Sequence, residues 1–342
     1  MHLGAIAALL AGLIVGTAAW PVKVMKKLEF EQWWFVGMMV ALVIIPWTSA
    51  LASYHKAFAA YSQVPAIVLL KSNLFALGWG IANVLYGICI TRMGVALSTA
   101  ILSGLGVCTG VTLPMLMKGS GLFANAPDLI SKAGFVILGG VGVMLAGVVL
   151  AALAGSERDK VLAKAEKRSG KFMVNLVMCV IAGVLSCGLS LAFVYSQGPV
   201  VEAMKARGAG DITANLAVWS GGVMSGAIVN ILYPVVMMTR KRTWGLLVEG
   251  WKEIGLAAAT GVHLLVGVAL MGRGMVLLGA LGASVGFGIQ QAVQLISSQG
   301  LGYVSGEWRG VYGKPRMMML FGITILLAAA AVMAYGNTLG AG

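Results

Sequence analysis

The sequence predicts an all-α polytopic membrane protein of ten transmembrane helices, arranged as two inverted five-helix repeats. Three observations carry that expectation. The first is composition: 59% of the 342 residues are hydrophobic, 10% are charged, and the mean hydropathy is +0.93. A soluble domain is roughly 45–50% apolar and about one-quarter charged, so this chain lacks the polar residues to cover a water-facing surface. The second is a succession of apolar stretches of the roughly 20 residues that a bilayer-crossing helix needs. The third is an internal repeat with an offset of 180 residues.

The spans fall at residues 3–21, 33–52, 70–91, 94–117, 132–153, 172–196, 213–239, 253–272, 275–299 and 315–336. The opening "MHLG" has no Lys or Arg ahead of its apolar run, whereas Lys23, Lys26 and Lys27 follow it. A retained first helix with its N-terminus outside is therefore expected, not a cleaved leader. Trp33, Trp34, Trp251 and Trp308 fall at span ends, where amphipathic rings prefer the interface. Among the 48 glycines, Gly12 with Gly16, Gly222 with Gly226 and Gly282 with Gly286 have the spacing that lets helices approach closely in lipid. Residues 1–154 make the first repeat and 172–342 the second. The stretch "GSERDKVLAKAEKRSGK" at 155–171 reads as a solvated cytoplasmic linker.

The net charge of +13 does not point to nucleic acid, because the charges sit in short loops between spans. There they report orientation. Loops after spans 1, 3, 5, 7 and 9 hold seventeen of the 24 basic residues, which places both termini outside the cytoplasm. Cys89, Cys108, Cys179 and Cys187 lie in apolar segments without CxxC spacing, so neither a metal site nor a disulfide framework is expected. Nothing in the spacing calls for a cofactor.

The repeat appears when "NVLYGICITRMGVALSTAILSGLG" (83–106) is laid over "HLLVGVALMGRGMVLLGALGASVG" (263–286). Gly87 then falls on Gly267, Gly94 on Gly274, Leu97 on Leu277, Ala100 on Ala280 and Gly106 on Gly286. "AGL" at 11–13 likewise answers "AGV" at 182–184. Five spans per copy is an odd number, so the second copy must enter the membrane upside down. Inverted repeats of this kind are typical of secondary transporters, which expose a midplane site alternately to the two sides. Under this overlay Asn83 is the mate of His263.

None of the eleven acids falls at the centre of a span. Neutral polar and aromatic side chains do. Trp79, Asn83 and Tyr86 share one face of span 3, and Asn215 and Trp219 are four apart in span 7. Span 9 carries Gln290, Gln291 and Gln294, and span 8 carries His263. Amides both donate and accept, and an aromatic plate covers the apolar face of a pyranose, so this set suits a small neutral sugar. The alternative is that these side chains bond helix to helix. His263 is either a proton carrier, since imidazole titrates near neutral pH, or a neutral bonded histidine. Glu307 is the second proton-coupling candidate.

An enzyme must also be weighed. "GASVG" (282–286) satisfies a nucleophile pattern, so Ser284 with His263 could form an intramembrane serine protease. The strand–turn–helix context of that pattern is missing. A rival within transport is an exporter of amino acids or other small metabolites.

Several segments resemble one family: "KVMKKLEFEQWW" after span 1, "WGIANVLYGICITRMGVALSTAI" across spans 3 and 4, "GPVVEAMKARGAGD" before span 7, and "GALGASVGFGIQQ" leading to "SGEWRG" at 305–310. Their order and spacing resemble the L-rhamnose–proton symporter family of the drug/metabolite transporter superfamily. That resemblance implies ten helices in two inverted halves, a bacterial inner-membrane location, and uptake of a deoxysugar with protons.

Overall fold

In a computed structural model, residues 2–52, 56–116, 128–166, 172–278 and 287–339 are described, and the regular structure among them is helical. The helices are α1 (His2–Thr17), α2 (Phe30–Met38), α3 (Ile45–Ala52), α4 (Lys56–Tyr61), α5 (Ala66–Met93), α6 (Val95–Leu116), α7 (Lys132–Glu166), α8 (Phe172–Ser186), α9 (Gly188–Ala206), α10 (Asp211–Ala217), α11 (Met224–Lys241), α12 (Gly245–Glu249), α13 (Trp251–Leu278), α14 (Phe287–Val304) and α15 (Lys314–Leu339). Among the described residues, seven helices are long and apolar enough to cross a membrane, and the α10–α11 pair, bent by 63°, supplies an eighth. The chain is a helical polytopic membrane protein. Helix α6 occupies the predicted fourth span, whereas the predicted ninth, 275–299, is divided: 275–278 belong to α13 and 287–299 to α14. Residues 279–286, with Gly282, Ser284 and Gly286, lie outside the described residues.

Local chemistry explains the breaks. α2 passes into α3 through a π-helical segment, Met39–Ile44. Pro46 in α3 has no N–H to offer Leu42, and its ring would crowd that carbonyl, so the widened turn accommodates it. α10 ends in a second π-helical segment, Val218–Gly222, where Gly221 and Gly222 weaken helix continuation. Gly94 separates α5 from α6 at φ +92°, a left-handed conformation that other residues disfavour.

Two expectations are corrected. α7 continues to Glu166, so the segment 155–171 is helical over its first part and not a loop. Arg158 there is buried, donating to the Met93 carbonyl at 2.6 Å with its guanidinium over the Trp308 ring. A carbonyl left unpaired where α5 ends thus recruits the arginine. The overlay of Gly94 on Gly274 also fails as a helix boundary, because Gly274 lies inside α13. α5 and α13 are both 28 residues long, but they start 185 residues apart.

The chain forms two compact units: residues 1–17, 88–184 and 270–342 make one, and 18–87 with 185–269 make the other. Neither coincides with a sequence half.

The first unit has an apolar core around Leu97, Ile101, Met144, Met319, Leu326 and Met333. In it α7 and α15 run antiparallel, with Gly140 against Met333, Gly147 against Leu326 and Gly322 against Ala151. α6 and α14 are also antiparallel, joined by Gln294 to Ser103 and Gln299 to the Ala96 carbonyl. α1 runs parallel to α14: a Cβ on Gly12 would lie 2.5 Å from the Gln290 carbonyl, and one on Gly16 would strike Ser297. α8 runs parallel to α6, with Gly183 seated against Leu105.

The second unit is built on Trp33, Trp34, Met38, Trp79, Trp219 and Leu265, with a smaller cluster around Val64, Val200, Met204 and Val218. α2 and α11 run antiparallel, joined by a Glu31–Lys241 ion pair at 2.6 Å and a Trp34–Asn230 hydrogen bond. α2 runs parallel to α13, with Gly37 and Gly261 in backbone contact. α5 runs parallel to α11, with Gly80 against Gly226. Small residues at each crossing allow this approach.

Candidate functional site

In the second unit, one face of α5 carries Ser72, Asn73, Ala76, Trp79, Gly80 and Asn83, a helical spacing. That face lies along the broken α10–α11 segment. The rings of Trp79 and Trp219 meet edge to face at 6.0 Å, and Phe193 packs on Trp219 at 5.1 Å. Both indoles are buried. The two tryptophans predicted as an aromatic plate thus pack on one another, with their rings in the core.

One turn further along α5, the Asn83 amide donates to Asn230 Oδ1 at 3.0 Å, with Met38 Sδ 3.7 Å from the same nitrogen. Trp34 Nε1 donates to the same Asn230 oxygen at 3.1 Å, and Asn230 Nδ2 returns a bond to the Gly226 carbonyl. Asn230 is completely buried, whereas Asn83 is half-buried. Tyr86 and His263 are also half-buried, and each makes a polar or ring interaction. Asn215 stands apart. It is exposed, donates to the Asp211 carbonyl within its own helix, and accepts from Gln197 at 3.4 Å.

The break in α10–α11 is stitched by α5. Asn73 Nδ2 donates to the Gly221 carbonyl at 2.9 Å, and Asn73 Oδ1 accepts the Ser225 N–H at 2.9 Å. The Ser72 hydroxyl lies 2.6 Å from the Gly222 carbonyl and 2.8 Å from that of Ala192, and can donate to one at a time. Tyr61 donates to the Ala217 carbonyl at 2.7 Å. Burial pushes its pKa up to about 12, so the phenol keeps its proton at physiological pH.

The first unit holds the amides of α14. Gln290 Nε2 donates to Gln294 Oε1 at 2.7 Å, and Gln294 Nε2 lies 3.5 Å from Ser103 Oγ. Gln290 Oε1 is buried without a hydrogen-bond partner among the described residues, an acceptor position that a hydroxyl or a water would satisfy. The side chain of Gln291 lies outside the described residues, as does Ser284.

Glu307 follows α14 and reaches the start of α6. Its Oε1 accepts the Val95 N–H at 2.6 Å and its Oε2 the Ala96 N–H at 3.1 Å. A carboxylate on the unpaired N–H groups of a first turn is a helix cap, favoured also by the helix dipole. A Cβ at Gly94 would collide with that carboxyl group. The rest of "GEWRG" surrounds the cap: Gly306 and Gly310 have positive φ, and the buried Trp308 stacks on Tyr303.

Sequence reasoning passed over Ser72, Asn73, Trp34 and Arg158, and it did not place Asn230 in the site. A signal existed for Asn73, because a polar pair inside an apolar span must find partners. The partners of Asn73 across the fold, Gly221 and Ser225, are 148 and 152 residues away. Neither neutral cluster includes a charged side chain. Among the described residues, no group of three or more His, Cys, Asp or Glu could hold a metal ion.

Comparison with known proteins follows the same lines. The family model described as "L-rhamnose-proton symport protein" matches residues 1–338. Proteins named L-rhamnose-proton symporter are similar throughout. That of Shigella dysenteriae is 26% identical over 325 residues, that of Shigella sonnei 26% over 329, and that of Escherichia coli 25% over 325. Each alignment covers 92% of this chain and 92% of the relative.

Proposed function

This chain belongs to the L-rhamnose-proton symport protein family, and on that premise we propose that it takes up L-rhamnose or a closely related monosaccharide with protons, by alternating access. The match over residues 1–338 is the observation that carries this reading. The relatives are named symporters, so the family is one of transporters and not of enzymes. The same match favours uptake over export.

The directions of the packed helices support ten crossings in two inverted copies. With alternating crossings, spans 4 and 9, 5 and 10, and 2 and 7 must each be antiparallel, while 1 and 9, 6 and 4, 2 and 8, and 3 and 7 must be parallel. All seven relations match the packing described above. Inversion adds a stricter requirement, that each contact recur between the mates of its two helices. Span 1 lies on span 9 through Gly12, and span 6 lies on span 4 through Gly183, the glycine that the repeat aligns with Gly12. The π-helical segments also answer one another, starting at Met39 and Val218, 179 residues apart. Alternating access needs at least two moving bodies, and the chain has two compact units.

Neutral chemistry supports the sugar. Asn83, Gln290 and Gln294 offer amides, and neither cluster offers the fixed charge that an ionic substrate requires. Asn83 and Gln290 are the leading contacts, each within its own unit. For proton coupling, His263 is favoured over Glu307, since both Glu307 oxygens are taken by the α6 cap. The inner membrane, with both termini outside, fits the seventeen basic residues on one side.

The test is a thermal-shift screen of the purified protein against deoxyhexoses, hexoses, pentoses and uronates. A sugar present at a hundred times its Kd stabilises the folded state by about 2.7 kcal/mol. L-rhamnose or a near relative should give the largest shift; a shift with uronates alone would refute a neutral-sugar site.

A further inference from the structure

Breaks in transmembrane helices expose backbone groups, and in many transporters a substrate or coupling ion satisfies them. In this protein another helix does so. The break lies at Val223, where the backbone leaves the helical region at φ −124° and ψ 23°, and the axis turns by 63°. One carboxamide, that of Asn73, holds both sides. Its Nδ2 donates to Gly221 before the break, and its Oδ1 accepts from Ser225 beyond it. The second Nδ2 hydrogen goes to the Leu69 carbonyl in its own helix, so both N–H donors of the amide are used and its oxygen accepts one bond. The Ser225 hydroxyl donates to the Asn73 carbonyl, and Ser72 covers Gly222. Trp219, on the near side, faces Trp79 of the same α5 surface. Gly226, on the far side, has room for no Cβ against Trp79 and the Ala76 carbonyl.

We propose that Asn73 is the positioning residue of a hinge: its amide spans the break between α10 and α11 and sets the angle at which Trp219 is presented. This rests on the transport reading above, since a hinge matters for a protein that cycles between states. A side chain gripping a carbonyl on one side and an N–H on the other fixes the bend from both ends. Flanking glycines leave the segment free to take another angle once the grip is lost. Asn73 therefore acts on the rate of the conformational step and not on the sugar contacts.

The experiment places spin labels at Ile212 on α10 and Leu232 on α11, both exposed, in a background with Cys187→Ser. It reads their distance distribution with and without Asn73→Ala, beside transport in proteoliposomes. The expected result is a broadened or displaced distribution in Asn73→Ala. The maximal rate of net uptake should fall about tenfold with the half-saturating sugar concentration little changed, as expected when a conformational step limits turnover. An identical distribution in parent and variant overturns the proposal, as does a loss confined to sugar affinity. Should Asn73→Ala fail to fold, Asn73→Leu keeps the side chain's bulk without its hydrogen bonds to Gly221 and Ser225, and an unchanged distribution there overturns the proposal equally. If the parent moves no sugar, the transport reading fails while the distance measurement still judges the hinge.

Discussion

Asn83 and Trp34, from α5 and α2, donate to one and the same oxygen of Asn230, at 3.0 and 3.1 Å. Asn230 is completely buried and is the hub of this polar network, with Asn83 a half-buried spoke. Buried donors stripped of their acceptor each cost about 1–3 kcal/mol. Asn230→Ala should therefore lower stability by roughly 2 kcal/mol or more, read as a fall in Tm in detergent. Asn83→Ala should cost less stability and weaken sugar binding by about 1–3 kcal/mol, as should Gln290→Ala, read by titration of the purified protein. Wild-type affinity in both variants would remove them from the site.

Glu307 offers a cleaner separation between structural and coupling roles. Its carboxylate caps α6 through Val95 and Ala96, and losing such a cap costs about 1 kcal/mol. Glu307→Gln should lower Tm modestly and leave pH-driven uptake intact. Gly94→Ala should do worse, since the new methyl group meets the Glu307 carboxyl at a backbone angle of φ +92°. Abolished proton coupling in Glu307→Gln with an unchanged Tm would return Glu307 to the transport pathway.

His263 is the group expected to carry the proton. His263→Ala should abolish accumulation against a gradient while sparing sugar exchange across proteoliposome membranes. Uptake still driven by a pH gradient in that variant would show that the proton travels elsewhere.

The glycine crossings predict a different kind of failure. Gly37 and Gly261 bring two backbones together, leaving no flexible side chain to move aside. Overpacking a close contact costs about 1–3 kcal/mol, so Gly261→Ala should reduce Tm or folded yield. Gly255→Ala on the same helix has open space around it and should be silent. Equal effects of the two would deny the close approach of α2 and α13.

The helices were legible because an apolar run of bilayer length declares itself in composition, and the Trp33 and Trp308 positions marked their ends. Spacing along a helix also placed Gln290 and Gln294 one turn apart, though the bond between them was not foreseen. What composition could not convey was partnership at a distance. Asn230 joins residues 147 and 196 positions away, and Glu307 caps a helix 212 residues upstream. The same blindness hid the two compact units. The sequence reads as two consecutive halves, yet α7 of the first packs on α15 of the second, which mixes the halves. Arg158 was taken for a solvated charge because its partners, Met93 and Trp308, belong to other parts of the chain.

The most direct measurement is uptake of labelled L-rhamnose into proteoliposomes holding this protein alone, with an inward proton gradient imposed. Accumulation above the external concentration, collapsing when a protonophore is added, is the predicted result. Gradient-independent equilibration, or no saturable entry of any neutral sugar, would contradict proton-coupled sugar uptake.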